Sequence, residues 1–331
     1  MPPRVAELLG ERLRWSFDAC ELASACESSG LGPLATLGEV LFCDHGLFEA
    51  LPVQPEVLRS YLNAVETSYR PVAYHNSTHA ACVLHSCNFL LVVSGMADLL
   101  APWELASVLL AAAVHDLGHL GVNNEFLVAS GDPLALRYND VSVLENFHAA
   151  TAFELMRVPG QELCSGMSRP DALRLRRLII PLVLATDTAR HAQLVEAGRR
   201  APGGLRIGEE GSEERLLALK LVLKLADVGN ASKSFPYALR WAAGITAEFW
   251  AQGDRERELQ LPLLPSNDRH ARAFLASQLA FLEHVAEPLY STAGLLLGPE
   301  LATSLLARLR CIRGYVERSG AEGPPAESAG R

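Results

Sequence analysis

The sequence predicts an all-α fold, on three grounds. Leu, Ala and Val supply most of the apolar 49% while aromatics make up only 7%, and Leu and Ala are strong helix formers. Apolar residues recur at helical spacing in stretch after stretch. No stretch sustains the apolar–polar alternation of a half-buried strand.

Residues 56–67 are amphipathic, with Leu58, Leu62 and Val65 on one face. Residues 78–93 form a second, mostly apolar helix. The segment 102–114 opens with Pro102, whose missing N–H costs nothing in a first turn, and runs through Leu and Ala into His115. The pattern continues in 141–156, 171–180, 213–225, 241–252 and 271–286. Gly and Pro mark loops at 165–170, 198–211 and 261–267. The segment 319–331 has the composition of a disordered tail. With no internal repeat and no composition break inside 15–315, residues 1–318 read as one domain. Its N-terminal helices lie in 1–70 and its site in 71–290.

Charge and cysteines narrow the function. With 29 basic and 38 acidic residues the net charge is −9, against a nucleic-acid partner, which needs clustered Lys and Arg. A small phosphorylated ligand remains open, because bound cations can outweigh the global sign. Seven cysteines without a CxxC pair read as reduced, mostly buried thiols. No apolar run is long enough to span a membrane, and residues 1–14 lack the apolar core of a signal peptide. A soluble cytoplasmic protein is expected. Oligomeric state is not readable.

The chemistry concentrates in two His pairs, His75/His79 and His115/His119, each spaced i, i+4. On a helix that spacing puts both rings on one side. Asp116 follows an unbroken apolar run, 108–114, so it belongs in or near the core. A charged Asp there is costly unless paired or bound to a metal. Asp227 ends another apolar run, 216–226. Imidazoles with carboxylates suit Zn²⁺, and a carboxylate with waters suits Mg²⁺ or Mn²⁺. Two such ions about 3.5–4 Å apart activate water and clamp a phosphoryl oxygen. Taken singly, these residues also have ordinary readings. Asp227 could pair with Lys224 or Lys233, Thr186-Asp187 could end a helix, Gln278 could face solvent, and Phe281 and Ile245 could be core.

Together the motifs resemble the class I 3′,5′-cyclic nucleotide phosphodiesterases, within the HD-type metal phosphohydrolases. Tyr74-His75-Asn76-Ser77-Thr78-His79 is similar to that family's YHNxxH, and His115-Asp116-Leu117-Gly118-His119 to its HDxxH. Asn139–Asn146, Leu225–Asn230, Glu248–Asp254 and Gln278–Phe281 resemble its later motifs, in family order over about residues 15–300. The resemblance implies a compact multi-helix domain with a central di-metal pocket that opens cAMP or cGMP to the 5′-monophosphate. It implies Zn²⁺ on His79, His115, Asp116 and Asp227. A second ion, Mg²⁺ or Mn²⁺, would share Asp116, its waters oriented by His119, Glu145 and Thr186. A bridging hydroxide would attack phosphorus, and His75 would protonate the departing 3′-oxygen. Gln278 would bond the purine, Phe281 and Ile245 would clamp it, and Tyr74 and Asn230 would line the pocket. Similarity around Asn230 leans slightly to cAMP.

Three positions depart from the family pattern. Gly118 stands where Asp or Glu is usual, Cys82 where Asp closes HNxxHxxD, and Phe147 where ENHH has its first His. None is a metal ligand in the carry-over, so the expectation is an active enzyme with a weakened hold on its second ion or slow turnover, its activity at limiting Mg²⁺ raised by restoring Asp at 118 and 82. Other readings are Cys82 as a metal ligand, a catalytically impaired module that binds a cyclic nucleotide or a partner, and another HD-type metalloenzyme.

Overall fold

The fold is set by helices that begin at prolines or capping side chains and bury whole faces. The structure is a computed structural model and describes residues 1–201, 204–271 and 274–319. Among these there are seventeen α-helices and no strand. The N-terminal set is α1 (Pro3–Gly10), α2 (Ala19–Glu27), α3 (Pro33–Asp44), α4 (Leu47–Ala50) and α5 (Pro55–Ser68). The middle set is α6 (Ser77–Val93), α7 (Pro102–Val114), α8 (Asn124–Ala129), α9 (Pro133–Arg137), α10 (Val143–Leu155), α11 (Arg169–Leu184) and α12 (His191–Arg199). The last set is α13 (Glu213–Asp227), α14 (Phe235–Glu258), α15 (Phe274–Phe281), α16 (Glu287–Leu297) and α17 (Pro299–Ser319).

α6, α7 and α13 form the centre. Every residue of α6 from His79 to Leu91, and of α7 from Glu104 to Val114, is buried. Such all-round apolar helices must be enclosed by others, and α6 packs on α2, α3, α7 and α13 while α11 covers α7. One apolar cluster runs from Val5 to Ile312, and a smaller one around Phe126 and Leu144 sits under α8–α10. Each fully buried Leu or Val contributes about 1.5–3 kcal/mol relative to exposure. No helix among the described residues is long and apolar enough to cross a membrane.

Several expected boundaries shift for local reasons. The helix expected over 141–156 starts at Val143, because Asn139, Asp140 and Ser142 adopt left-handed φ of 54°, 61° and 44°. The helix expected from 171 starts inside the expected loop 165–170, at Arg169 capped by Ser168, and runs past Ile180 through Pro181. The helix expected over 241–252 extends to 235–258. The loop expected from 198 begins after α12, whose last residues are Gly198 and Arg199. Of the helix expected over 271–286, residues 272–273 lie outside the described residues, the α-helix runs from Phe274, and Leu282–Ala286 form a π-helical turn. The expected tail is helical at its first residue, Ser319, and its remainder lies outside the described residues. α8 and α9, of 6 and 5 residues, are too short to show a period. All seven cysteines are free, but only Cys26, Cys82 and Cys87 are buried, while Cys43 and Cys311 are exposed.

Candidate metal centre and ligand pocket

The ends of the central helices converge on one point. Asn76 caps α6 by accepting from Thr78 N and His79 N at 3.0 and 3.1 Å, which fixes His79 in the first turn. α7 stops at Val114, and His115 follows as its cap residue, donating through Nδ1 to Ala112 O at 2.9 Å. That bond leaves His115 Nε2 as a lone-pair donor to a ligand. Asp227 is the last residue of α13.

Four side chains thus meet. His79 Nε2 and His115 Nε2 are 3.3 Å apart. Asp116 Oδ2 lies 3.0 Å from His115 Nε2 and 3.4 Å from His79 Nε2. Asp227 Oδ1 lies 3.2 Å from His79 Nε2 and 3.4 Å from His115 Nε2. Ligand atoms about 2.0–2.2 Å from a shared ion stand roughly 3.0–3.5 Å apart in octahedral to tetrahedral arrangements. The observed edges match, so these residues fit a divalent metal ion. A second group of possible ligands, Asp116, His119 and His148, shares Asp116 with the first. Burial works against the charge of Asp116 and Asp227, yet the imidazoles beside them hold both carboxyls below the usual range.

The i, i+4 histidines do not share helix faces. His75 precedes the cap of α6, and the chain turns at Gly118, φ +75°, between His115 and His119. The rings pair across the two segments: His75 stacks on His119 at 3.9 Å, and His79 tilts against His115 at 5.2 Å. His119 Nδ1 accepts Gly121 N at 3.1 Å, and burial, then the neighbouring His75, keeps the ring neutral by pushing its pKa well down.

His75 has a partner that spacing could not show. Its Nδ1 lies 2.7 Å from Glu248 Oε2, while Glu248 Oε1 accepts the backbone N–H of Tyr74 and His75 at 2.6 and 2.8 Å. Burial would raise the Glu248 carboxyl, but its bond to His75 outweighs this and lowers it. Glu248 sits on α14 with Trp241, Ile245 and Gln252, spaced i, i+4, i+7 and i+11, and all four line one cavity of about 700 Å³. Trp241 packs edge-on against Tyr74 and His79 at 5.3 and 5.5 Å. Of this stripe the family resemblance places only Ile245 at the pocket; what Trp241, Glu248 and Gln252 face shows only in the fold.

The same cavity brings together Tyr74, His75, Asp116, His119, Glu145, Thr186, Asp227, Asn230, Ile245, Gln278 and Phe281. His79 and His115 lie beneath its floor, at 1% and 0% exposure. Asn230 Nδ2 donates to Tyr74 Oη at 2.9 Å. Thr186 Oγ1 donates to Val183 O at 2.7 Å, leaving its oxygen as an acceptor. Lys224 and Lys233 are not partners of Asp227: Lys224 Nζ donates to Thr186 O and Asp187 O at 2.7 and 3.0 Å, and Lys233 Nζ to Phe17 O at 3.0 Å. Sequence reasoning also gave no role to His148, which donates through Nδ1 to Leu117 O at 2.7 Å and points Nε2 to within 3.9 Å of Asp116 Oδ1.

Two departures from the family pattern touch each other. A Cβ on Gly118 would stand 3.1 Å from the Phe147 ring, so at φ +75° an Asp there meets backbone strain and a tight contact to which the ring must give by a few tenths of an ångström. Cys82 is no metal ligand: its Sγ accepts Tyr237 Oη at 2.9 Å, outside the donor groups.

Burial raises the Glu145 carboxyl from 4.5 to about 7, a rise that the Asn124 amide, 3.0 Å away, only partly opposes. With the folded value above the unfolded one, the protonated carboxyl favours folding below about pH 4.5. That advantage is lost as pH rises to about 7. Glu145→Gln should therefore stabilise the metal-free protein at pH 8, by up to about 3 kcal/mol, and much less near pH 5. Thermal unfolding of metal-free protein at the two pH values checks this; equal shifts would contradict it.

The family profile described as 3′5′-cyclic nucleotide phosphodiesterase matches residues 74–308. Mouse 3′,5′-cyclic-AMP phosphodiesterase 4C is 34% identical over 97% of this chain and 47% of its own length. Human high affinity cAMP-specific and IBMX-insensitive 3′,5′-cyclic phosphodiesterase 8A is 35% identical over 86% of this chain and 36% of its own. The chain thus spans less than half the length of these curated relatives. Among solved structures, the phosphodiesterase domain of Salpingoeca rosetta rhodopsin phosphodiesterase superposes with a TM-score of 0.86 at 28% identity, covering 96% of this chain and 95% of that one.

Proposed function

This chain belongs to the 3′,5′-cyclic nucleotide phosphodiesterase family, and we propose that it hydrolyses the cyclic phosphate of cAMP, and less readily of cGMP, to the 5′-monophosphate. The observation that carries this is the four-donor cluster beneath a cavity whose wall holds His75 against Glu248.

In this reading His79, His115, Asp116 and Asp227 would hold Zn²⁺, and Asp116 would also serve a second ion, Mg²⁺ or Mn²⁺. When bound, the two ions supply nucleophilic water at neutral pH and positive charge for the phosphoryl oxygens. His119, Glu145 and Thr186 would orient water at the second position. Glu248 accepts from His75 Nδ1, and in the imidazolium form Nε2 then carries the proton given to the departing 3′-oxygen.

Phe281 and Ile245 clamp the purine. Asn230 uses its Nδ2 on Tyr74 Oη, which leaves Oδ1 to accept from the 6-amino group of adenine, where guanine has a carbonyl. Gln278 has no hydrogen bond fixing its amide among the described residues, so it serves either purine, and the lean to cAMP rests on Asn230. Hydrolysis of cAMP and cGMP, assayed separately with Mg²⁺ or Mn²⁺ and with the 5′-monophosphate identified as product, tests the proposal. The expected result is turnover of both with a higher kcat/KM for cAMP. Folded, metal-loaded protein that forms neither product would overturn it in favour of a binding module.

A further inference from the structure

The turn after Asp227 is gripped from its far side by the N-terminal segment of the chain. Gly229–Ser232 form a single 3-10 turn, and Asn230 within it reaches Tyr74 and the cavity. The other side of the turn rests on Trp15. The indole Nε1 donates to Ser232 O at 3.1 Å and to Ser232 Oγ at 3.2 Å. The ring lies against Gly229, where a Cβ would stand 3.1 Å from Trp15 Cη2. Glycine favours this close approach through space and not through backbone conformation, since its φ is not left-handed. The next residue, Lys233, donates to Phe17 O at 3.0 Å and lies 5.6 Å from the centre of the Trp15 ring.

Trp15 and Phe17 are themselves anchored on α6, the helix that carries His79. Trp15 packs on Phe89 at 5.2 Å, and Phe17 stacks on His85 at 4.3 Å. They are 6% and 3% exposed. Both precede the segment that matches the family profile, residues 74–308.

We infer that Trp15 and the Phe17 carbonyl are positioning groups of the nucleotide site, fixing the Gly229–Lys233 turn so that Asn230 meets the purine in one orientation. The inference rests on the cyclic nucleotide reading above. A side-chain amide discriminates between purines only when its surroundings hold it still, and a buried carbonyl that loses its donor relaxes toward another. Tyr74 holds Asn230 from the pocket side, and Trp15 holds the backbone that carries it.

Two variants separate positioning from packing. Trp15→Phe keeps an aromatic ring against Gly229 and removes the N–H. Gly229→Ala keeps the N–H and crowds the turn against the ring and against Ser86 on α6. Each is assayed in the full chain with metal, alongside its thermal midpoint. The expected result is a KM for cAMP raised about threefold to tenfold, the size of one net hydrogen bond, with kcat within about twofold and a smaller cAMP-to-cGMP preference. Folded Trp15→Phe with unchanged KM and unchanged preference overturns the inference. So does a kcat that only follows the folded fraction. If the wild type binds cAMP by calorimetry without cleaving it, the hydrolysis reading fails and the same three- to tenfold loss in binding decides the inference. A wild type that neither binds nor cleaves overturns both.

Discussion

Asp116→Ala is expected to strip the protein of both metal positions and to lower kcat/KM by at least about a thousandfold, more than a single stabilising donor is worth. The size follows from where its two oxygens point. Oδ2 lies 3.0 and 3.4 Å from the Nε2 atoms of His115 and His79, while Oδ1 faces His148 at 3.9 Å. No other side chain belongs to both the group with His79, His115 and Asp227 and the group with His119 and His148. Removing it leaves buried imidazoles without the carboxylate that balances a bound cation. Metal content by mass spectrometry and steady-state kinetics check this together. A variant that keeps two equivalents of metal and full turnover would show that the convergence at Asp116 is structural.

His75→Ala should act differently. We expect kcat to fall about a hundredfold to ten-thousandfold, the usual worth of a general acid, with KM and metal content little changed. The residue belongs to neither donor group that shares Asp116, its ring meets His79 only edge-on at 5.8 Å, and its Nδ1 is committed to Glu248 at 2.7 Å. Glu248→Gln should give a smaller loss, roughly tenfold to a hundredfold, because a group that orients an imidazole is lost while the imidazole stays. A His75→Ala protein with unaltered kcat, or one whose loss is explained by missing metal, would move the proton donor elsewhere. His119, stacked on His75 at 3.9 Å, would be the next candidate.

Much of this site was legible residue by residue. Asp116 and Asp227 stood out because charged groups closing apolar runs contrast with a core pattern, while His79, His115 and the grouping of all four came from the family resemblance, and those four converge. Tyr74, Asn230, Ile245, Gln278 and Phe281 follow from the motif order, and all line the cavity. Glu248 was visible as part of a motif, but its bond to a residue 173 positions away was not. His148 went unused for the same reason, since its value lies in where the Leu117 carbonyl turns its ring. The expectation of two helical His faces failed because Asn76 and Gly118 break the helices between the paired residues. Spacing tells nothing about such breaks unless the cap and the left-handed glycine are read as stops.

By itself the sequence determined the all-α class and the central helices, and its motifs, through their family resemblance, supplied the candidate metal ligands and pocket residues. Each of these depends on residue type and on periods of a few residues along the chain. The tertiary structure alone decided which imidazoles pair, that Phe147 fills the space at Gly118, that Lys224 and Lys233 serve backbone carbonyls rather than Asp227, and that Trp15 supports the turn bearing Asn230. These are contacts between residues far apart in the chain, fixed by how helix ends dock on one another, and no local pattern encodes them.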